Sequence, residues 1–299
     1  MKWLIVGDGI QGKKRKAILG SNCIGILDPF SKSSDFRTLG EIETTYEIVA
    51  ICTSQEAKEE YLRFFSKRGK PCLVEKPFPI LSLKEFQKLE STCSGNGTFI
   101  YTAFNHRYEE SIVELRKIIS SGEIGNPYLV NMKYGNGTIQ DIIKSTWKNS
   151  QSGLLFDLGS HLIDLYQFVI GKQIGDLKLE NYERFESNFA DYVRISGDHV
   201  LLEIGYIYWK SDFRLEIWGS KGSVHALGLK KWGNSELTVR KRRYPSGIPN
   251  ERTIRFEGAD STWIAEHHFV EGLVRDRRVG IDPNSYEVNE KLLRLSNSL

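Results

Sequence analysis

Long apolar runs are missing from this 299-residue chain. No stretch approaches the roughly 20 apolar residues of a membrane span. The opening run, Trp3-Leu-Ile-Val6, is interrupted at once by Gly7 and Gly9 and is too short for a signal peptide. Cysteine is scarce too. Cys23, Cys52, Cys72 and Cys93 all lie in the first third and show no metal-ligand spacing, so no metal site is expected. Three of them sit in or beside apolar strand-like runs, where a thiol behaves as a small hydrophobe. Free thiols without an export signal predict a reducing cytoplasm. An excess of one charge is the third absence. Lys and Arg number 41 against 38 Asp and Glu, a balance too even to predict nucleic acid or a membrane as partner. Asn96-Gly-Thr98 and Asn136-Gly-Thr138 match the glycosylation pattern, but in a cytoplasmic chain they read as turns. Internal repeats and low-complexity tracts are also lacking.

What is present predicts two domains, each large enough to bury a core. Over residues 1–120, short apolar runs alternate with amphipathic stretches, the pattern of parallel α/β units. Strands are expected at Trp3–Val6, Ile24–Leu27, Ile48–Cys52, Cys72–Val74 and Phe99–Tyr101. Thr53 with Glu56, and Ser82 with Glu85, are spaced as helix-opening capping boxes, and Leu81 and Phe86 suit a hydrophobic staple. A further helix is expected over Glu110–Ser120, stopping at Gly122. Residues 121–299 read differently. A helix over 153–170 is followed by strands without intervening helices: Leu177–Phe185, Ala190–Ser196, Val200–Trp209, Phe213–Gly219 and Leu237–Arg243. That order predicts a mostly antiparallel sheet, closed by helices near Thr262–Arg275 and Tyr286–Leu295.

Gly7-Asp-Gly9-Ile10-Gln11-Gly12 has the spacing G-x-G-x-x-G between a strand and a helix. The first glycine permits the tight turn, the second lets backbone approach a pyrophosphate, and the third lets the helix pack closely. Asp28 ends the second strand near the ~20-residue spacing of a ribose-binding acid. It would accept from the adenosine ribose and repel a 2′-phosphate, so NAD is expected over NADP. Lys13-Lys-Arg-Lys16 follows the loop. A solvated basic face is the simpler reading, and attraction of an anionic cofactor or substrate is the other.

Two segments carry chemistry. Glu75-Lys76-Pro77 follows the fourth strand, beyond whose carboxyl end such sheets bind ligands. Alone, Lys76 reads as a turn lysine; beside a nicotinamide it could share a hydroxyl's proton. In Gly153-Leu-Leu-Phe-Asp157-Leu-Gly-Ser-His161-Leu-Ile-Asp164, a helix would place Asp157, His161 and Asp164 on one stripe, with Leu155, Leu158, Leu162 and Leu165 beside it as core. An imidazole between carboxylates handles protons near neutral pH, or it is merely a buried histidine satisfied by an aspartate.

Together, the Gly7–Gly12 loop, Glu75-Lys76-Pro77, Asn105-His-Arg107 and Gly153…Asp157…His161 resemble the Gfo/Idh/MocA oxidoreductase family. The resemblance implies a Rossmann domain, here 1–120, followed by an α+β substrate-binding and oligomerisation domain, 121–299, with a large open sheet. It implies an NAD-dependent dehydrogenase or reductase moving hydride between nicotinamide and a hydroxyl or keto carbon of a sugar. By the family pattern Lys76 and His161 handle the proton and Asp157 orients substrate. Thr53 and Ser54, with Glu75 and Lys76, fall on the cofactor side, although Thr-Ser-Gln replaces the family's Thr-Pro-Asn. Asn105, Arg107 and Trp147 fall on the substrate side, with Asn-His-Arg replacing Asn-Arg-Arg. The stretch Tyr134-Gly-Asn-Gly-Thr138, with Trp147, is similar to members tied to bacterial surface-polysaccharide synthesis and points to a nucleotide-linked or otherwise activated sugar. An NAD-dependent glycoside hydrolase and a non-catalytic NAD-responsive regulator are the alternatives on the same fold. A homodimer or homotetramer is expected through an apolar outer sheet face that includes Tyr206, Tyr208 and Phe213.

Overall fold

The computed structural model describes residues 1–42, 45–145 and 147–299. Two compact units emerge: Met1–Phe104 with Trp263–Asn289, and Asn105–Thr262 with Glu290–Leu299. The first division falls after Phe104, against an expected boundary near residue 120, and the chain re-enters the first unit at Trp263 before residues 290–299 rejoin the second.

The first unit is built on six parallel strands: β1 (Trp3–Val6), β2 (Cys23–Leu27), β3 (Ile48–Ile51), β4 (Cys72–Glu75), β5 (Phe99–Ala103) and a two-residue strand, Gly280–Ile281, numbered β14 in chain order. Their order is β14-β5-β4-β3-β1-β2. Every residue of β1, β3, β4 and β5 is buried, which is why these segments read as unbroken apolar runs rather than alternating ones. Helices α1 (Ile10–Leu19), α2 (Gln55–Ser66) and α3 (Leu83–Gly95) make the crossovers, and α7 (Thr262–Arg275) joins from the far end of the sequence. Leu62 and Phe65 of α2 and Phe86, Leu89 and Cys93 of α3 pack with Val49, Val74 and Ile100 in one core. This is the Rossmann arrangement. Because β1 lies between β2 and β3, the chain leaves it to opposite sides, and a crevice opens at the carboxyl ends of β1 and β3.

Helix starts follow side-chain chemistry. Ser82 and Glu85 form the reciprocal capping box, and Leu81 and Phe86 are both buried in the core beside it. The other expected box is corrected: α2 begins at Gln55 with Ser54 as its cap residue, so Thr53 and Glu56 do not pair across the start.

The second unit holds an eight-stranded sheet. Its strands are β6 (Pro127–Gly135), β7 (Leu177–Glu183), β8 (Tyr192–Gly197), β9 (Val200–Gly205), β10 (Asp212–Gly219), β11 (Gly222–Leu227), β12 (Ser235–Lys241) and β13 (Asn250–Phe256), in the order β13-β12-β11-β10-β6-β9-β8-β7. All neighbours are antiparallel except β6 and β9. Helices α4 (Glu110–Ser120), α5 (Ile139–Ile143) and α6 (Ser160–Ile170) also belong here, and α8 (Pro283–Ser296) ends the fold. Alternation sorts the sheet's faces. Val130, Met132, Val193, Ile195, Leu202, Ile204, Leu215, Ile217, Val224 and Ala226 are buried on the core face. The opposite face carries Lys133 paired with Glu203 and Asp212, His225 against Glu216 and Arg240 against Glu251. Tyr206 and Phe213 are almost fully buried rather than on the outer face, and the Tyr208 hydroxyl donates to Glu203 at 2.6 Å. Of the three aromatics expected to form an apolar interface, Tyr206 and Phe213 are thus core residues and Tyr208 is tied to Glu203, while the outer face carries these ion pairs beside exposed Leu129 and Leu227.

Among the described residues, no helix is long and apolar enough to cross a membrane. The Ser82 box is an independent test of local stability. Ser82→Ala should cost about 1 kcal/mol, read as a lower urea midpoint at unchanged slope.

Candidate active site

Each unit carries its own cluster of chemistry-bearing groups. In the first, Gly7 has φ +102°, and an added Cβ would lie 2.7 Å from the Cys52 carbonyl oxygen. A Cβ on Gly12 would lie 1.9 Å from the Gly7 carbonyl oxygen. These two glycines let β1, the loop and α1 close on one another. Gly9 caps α1 without a side-chain acceptor, and a Cβ there would meet nothing within 4 Å. The start of α1 therefore presents N–H groups beside open space, as an anion requires. Ile10 is 86% exposed and Phe30 93% exposed, apolar surface that a flat base would cover. Asp28 accepts from the Asp8 N–H at 2.9 Å and from the Phe30 and Ser31 N–H groups at 2.9 and 3.1 Å. Burial raises its pKa, but these three donors outweigh burial and hold the carboxyl below its ordinary value. The loop, the uncapped helix start and a fixed anion at the end of β2 fit an adenine dinucleotide. Gln11 follows Ile10 on the first turn of α1. Thr53 lies at the end of β3, its hydroxyl buried without a hydrogen-bond partner, and Ser54 opens α2.

The Glu75-Lys76-Pro77 turn is clamped. The Lys76–Pro77 peptide is cis. Lys58 donates to the Pro77 carbonyl at 2.8 Å, and Gln55 and Asn289 donate to the Phe78 carbonyl at 2.9 and 2.5 Å. Burial pushes the Lys58 pKa down to about 8 despite the nearby Glu75 carboxylate. Glu75 itself faces Arg15, whose Nε lies 2.7 Å from it. The basic run Lys13–Lys16 is therefore not a uniformly solvated face: Arg15 is 1% exposed, Lys14 lies 3.8 Å from the Trp263 ring centroid, and Lys16 pairs with Asp35 at 2.8 Å.

In the second unit, Leu155–Gly159 forms a π turn that runs into α6. Such turns shift side-chain phase and recur at functional sites. The stripe expected from ideal helical spacing is accordingly split. Asp164, 1% exposed, pairs with Arg107, whose Nε donates to its two oxygens at 3.1 and 2.9 Å. Asp157 turns elsewhere, accepting from Tyr206 Oη at 3.1 Å and lying 2.8 Å from Lys148 Nζ. Gly153 makes the approach of Lys148 feasible, since a Cβ there would fall 1.9 Å from the Lys148 carbonyl oxygen. The His161 ring lies against His106, tilted by 33° with centroids 4.1 Å apart, and His106 Nε2 lies 3.1 Å from Tyr134 Oη. Leu155, Leu158, Leu162 and Leu165 are buried as expected. Asn105 donates to Thr262 Oγ1 at 3.0 Å, and Trp147 is 47% exposed.

Sequence reading brought out Asp157 and His161 but not Lys148, Tyr206 or Glu109, and it left His106 without a role. Lys148 adjoins Trp147 and offered that much of a signal; the others had no local one. Among the described residues, no group of three or more His, Cys, Asp or Glu is placed to hold a metal ion.

Residues 112–225 match the GFO/IDH/MocA C-terminal domain. The match covers 114 of the 299 residues, within the second unit. The family resemblance is borne out over that segment, which contains Asp157 and His161. The chain is 24% identical to an inositol 2-dehydrogenase of Saccharopolyspora erythraea over 66% of its own length and 57% of that enzyme's. It likewise spans 66% of the length of a Bacillus subtilis oxidoreductase, to which it is 22% identical. Two solved structures share the fold across 100% of this chain: a UDP-N-acetylglucosamine 3-dehydrogenase from Acidithiobacillus ferrooxidans (16% identity, 97% of that chain, TM-score 0.78), and an Agrobacterium radiobacter oxidoreductase in complex with NAD+, L-tartaric acid and magnesium (15% identity, 96% of that chain, TM-score 0.78).

Two groups of the second unit make testable demands on stability. Removing one partner of the buried Arg107–Asp164 pair, as in Asp164→Asn, should cost about 3–5 kcal/mol, while Arg107→Met with Asp164→Leu should recover most of it; urea unfolding measures both. Glu109 is 1% exposed, and burial pushes its pKa up to about 7 despite the Lys230 N–H at 3.3 Å, with Asp260 adding to the rise. The folded state therefore keeps a proton that the unfolded chain releases near its ordinary 4.5. Stability is full below that value and falls as pH rises towards 7. Glu109→Gln should flatten the decline, worth about 3 kcal/mol at most, when unfolding is compared at pH 5 and pH 7.5.

Proposed function

We propose that this protein is an NAD-dependent oxidoreductase acting on a hydroxyl or keto carbon of a sugar or cyclitol, free or nucleotide-linked. The observation that carries the reading is the division of labour along this segment: Asp164 closes on Arg107 as a structural acid, while Asp157, on the π turn, is held by Lys148 and Tyr206, and the His161 ring lies against His106. The inositol dehydrogenase relative supports the substrate class, and the UDP-sugar dehydrogenase neighbour supports the nucleotide-linked form. NAD rather than NADP follows from Asp28, and the NAD+ complex of a structural neighbour supports it.

A bound nicotinamide would supply the hydride-transfer chemistry. The chain's own residues bind and move the proton. N–H groups at the start of α1 would hold the pyrophosphate, and Asp28 would accept from the ribose diol. His161 takes the substrate hydroxyl proton in the oxidising direction and gives it back in the reducing one. Lys76, its turn held by Lys58, Gln55 and Asn289, would donate a hydrogen bond to a substrate oxygen. Asp157 orients the substrate from between Lys148 and Tyr206, whose hydrogen bond and ion pair fix its carboxylate. Asn105 and Trp147 border the substrate on the second unit.

A screen of inositols, free sugars and nucleotide-linked sugars for NADH formation tests the reaction. Release of sugar without net NADH would replace it with glycoside hydrolysis. On an accepted substrate, Lys76→Ala and His161→Ala should each lower turnover by about 10²–10⁴-fold, with the double variant scarcely worse than the weaker single. NADH affinity should stay near that of the unaltered chain. Near-normal turnover in both single variants would leave the reading without its chemistry.

A further inference from the structure

The glycine loop contains an acid that the dinucleotide reading leaves without a role. Asp8 is 8% exposed. Its carboxylate accepts from the hydroxyls of Ser31 and Ser33, the latter at 2.5 Å, and Lys13 Nζ stands 4.0 Å away. The two serine hydroxyls hold its pKa below the ordinary value, so the group is an anion at neutral pH. Its own N–H donates to Asp28 at 2.9 Å, and the charges of the two acids act on one another. Asp8, Lys13, Lys16, Ala17, Ile26 and Ser33 line an open groove of about 360 Å³ at this edge of the sheet.

We propose that Asp8 is a second cofactor-selecting acid, which together with Asp28 makes a two-carboxylate cradle for the ribose diol and excludes a 2′-phosphate. This rests on the cofactor reading above. Three of the roughly four acceptor sites of the Asp28 carboxylate are taken by backbone N–H groups. A diol with two O–H donors has more acceptor sites available from two such acids than from Asp28 alone. A 2′-phosphate, carrying close to two negative charges, would meet two carboxylates. The Ser31-Lys32-Ser33 segment, which by composition resembles a phosphate loop, has both serine hydroxyls committed to Asp8. Of the cations nearby, Lys16 is held by Asp35 at 2.8 Å.

The test is binding of NADH and NADPH to the full chain, followed by calorimetry at low and high salt, in the unaltered protein and in Asp8→Asn, Asp28→Asn, the double variant and Ser31→Ala/Ser33→Ala. Asp8→Asn keeps the shape and can still accept from the serines while losing the charge. The unaltered chain should prefer NADH, and Asp28→Asn should retain part of that preference. Asp8→Asn should lower the NADPH-to-NADH ratio of dissociation constants by about tenfold, the scale for a dianion roughly 6 Å from a carboxylate in water. That difference should shrink at high salt, and the double variant should approach parity. Equal weakening of both cofactors by Asp8→Asn would make Asp8 a structural residue and overturn the inference. Parity from Asp28→Asn alone would overturn it too, as would selective loss of NADPH in the double serine variant. Failure of the unaltered chain to bind either cofactor would overturn the dinucleotide reading itself, an outcome separate from these.

Discussion

Arg15 is the ion on which the first unit depends. It stands in α1, five residues from the start of that helix, almost without access to water. Its guanidinium reaches Glu75 at the end of β4, Glu266 on α7 at 2.9 Å and Nε2 of His267 at 2.8 Å. Stripping water from such a cation costs several kcal/mol even after relaxation. Two carboxylates and an imidazole nitrogen offset that cost only if all arrive together. His267 must be neutral to accept, and burial together with the Arg15 charge pushes its pKa down to about 3. The Trp3 ring lies against the same imidazole, with centroids 5.1 Å apart. One cation thus ties the helix behind the glycine loop to the strand end that carries Lys76 and to a helix from the far end of the chain. The cofactor loop and the candidate catalytic lysine share a single support.

The second unit solves a related problem differently. Its polar groups are kept apart by a change of helical phase. The π turn rotates Asp157 towards Lys148 and Tyr206, while Asp164 beyond it closes on Arg107. Had the helix kept one phase throughout, the two carboxylates would have shared a face and raised one another's pKa. Separated, one is locked as structure and the other stays at the edge of a cluster with His161, His106 and Tyr134. Burial, then the charges of Asp157 and Glu109, push the Tyr134 phenol well above its ordinary pKa. Its hydroxyl therefore stays protonated beside His106.

Legibility followed the range of the interaction. The strands of the first unit are apolar on both faces and were plain from the sequence, as were the Ser82–Glu85 box and the bounds of α4 and α7. In the second unit β6, β11 and β13 were missed. β13 is rich in charged and polar residues with little burial, and β6 begins exposed and becomes buried only along its length. Neither pattern stands out without its neighbours. The basic run at Lys13–Lys16 misled for the same reason, because the acids that bury Arg15 lie 60 and 251 residues downstream.

From the sequence alone came those things that nearest neighbours along the chain decide: the spacing of Gly7, Gly9 and Gly12, the acid at the end of β2, the lysine beyond β4, the Asp157–His161 pair and the two kinds of sheet. Tertiary structure alone decided how the charges are shared out. It buried Arg15 and left Lys13 in water, gave Asp164 to Arg107 and Asp157 to Lys148, and turned Ser31 and Ser33 towards Asp8. The physical reason is that local geometry depends on backbone sterics and short hydrogen bonds between residues a few positions apart. The state and partner of an ionisable group depend instead on desolvation and on charges brought near it from anywhere in the chain.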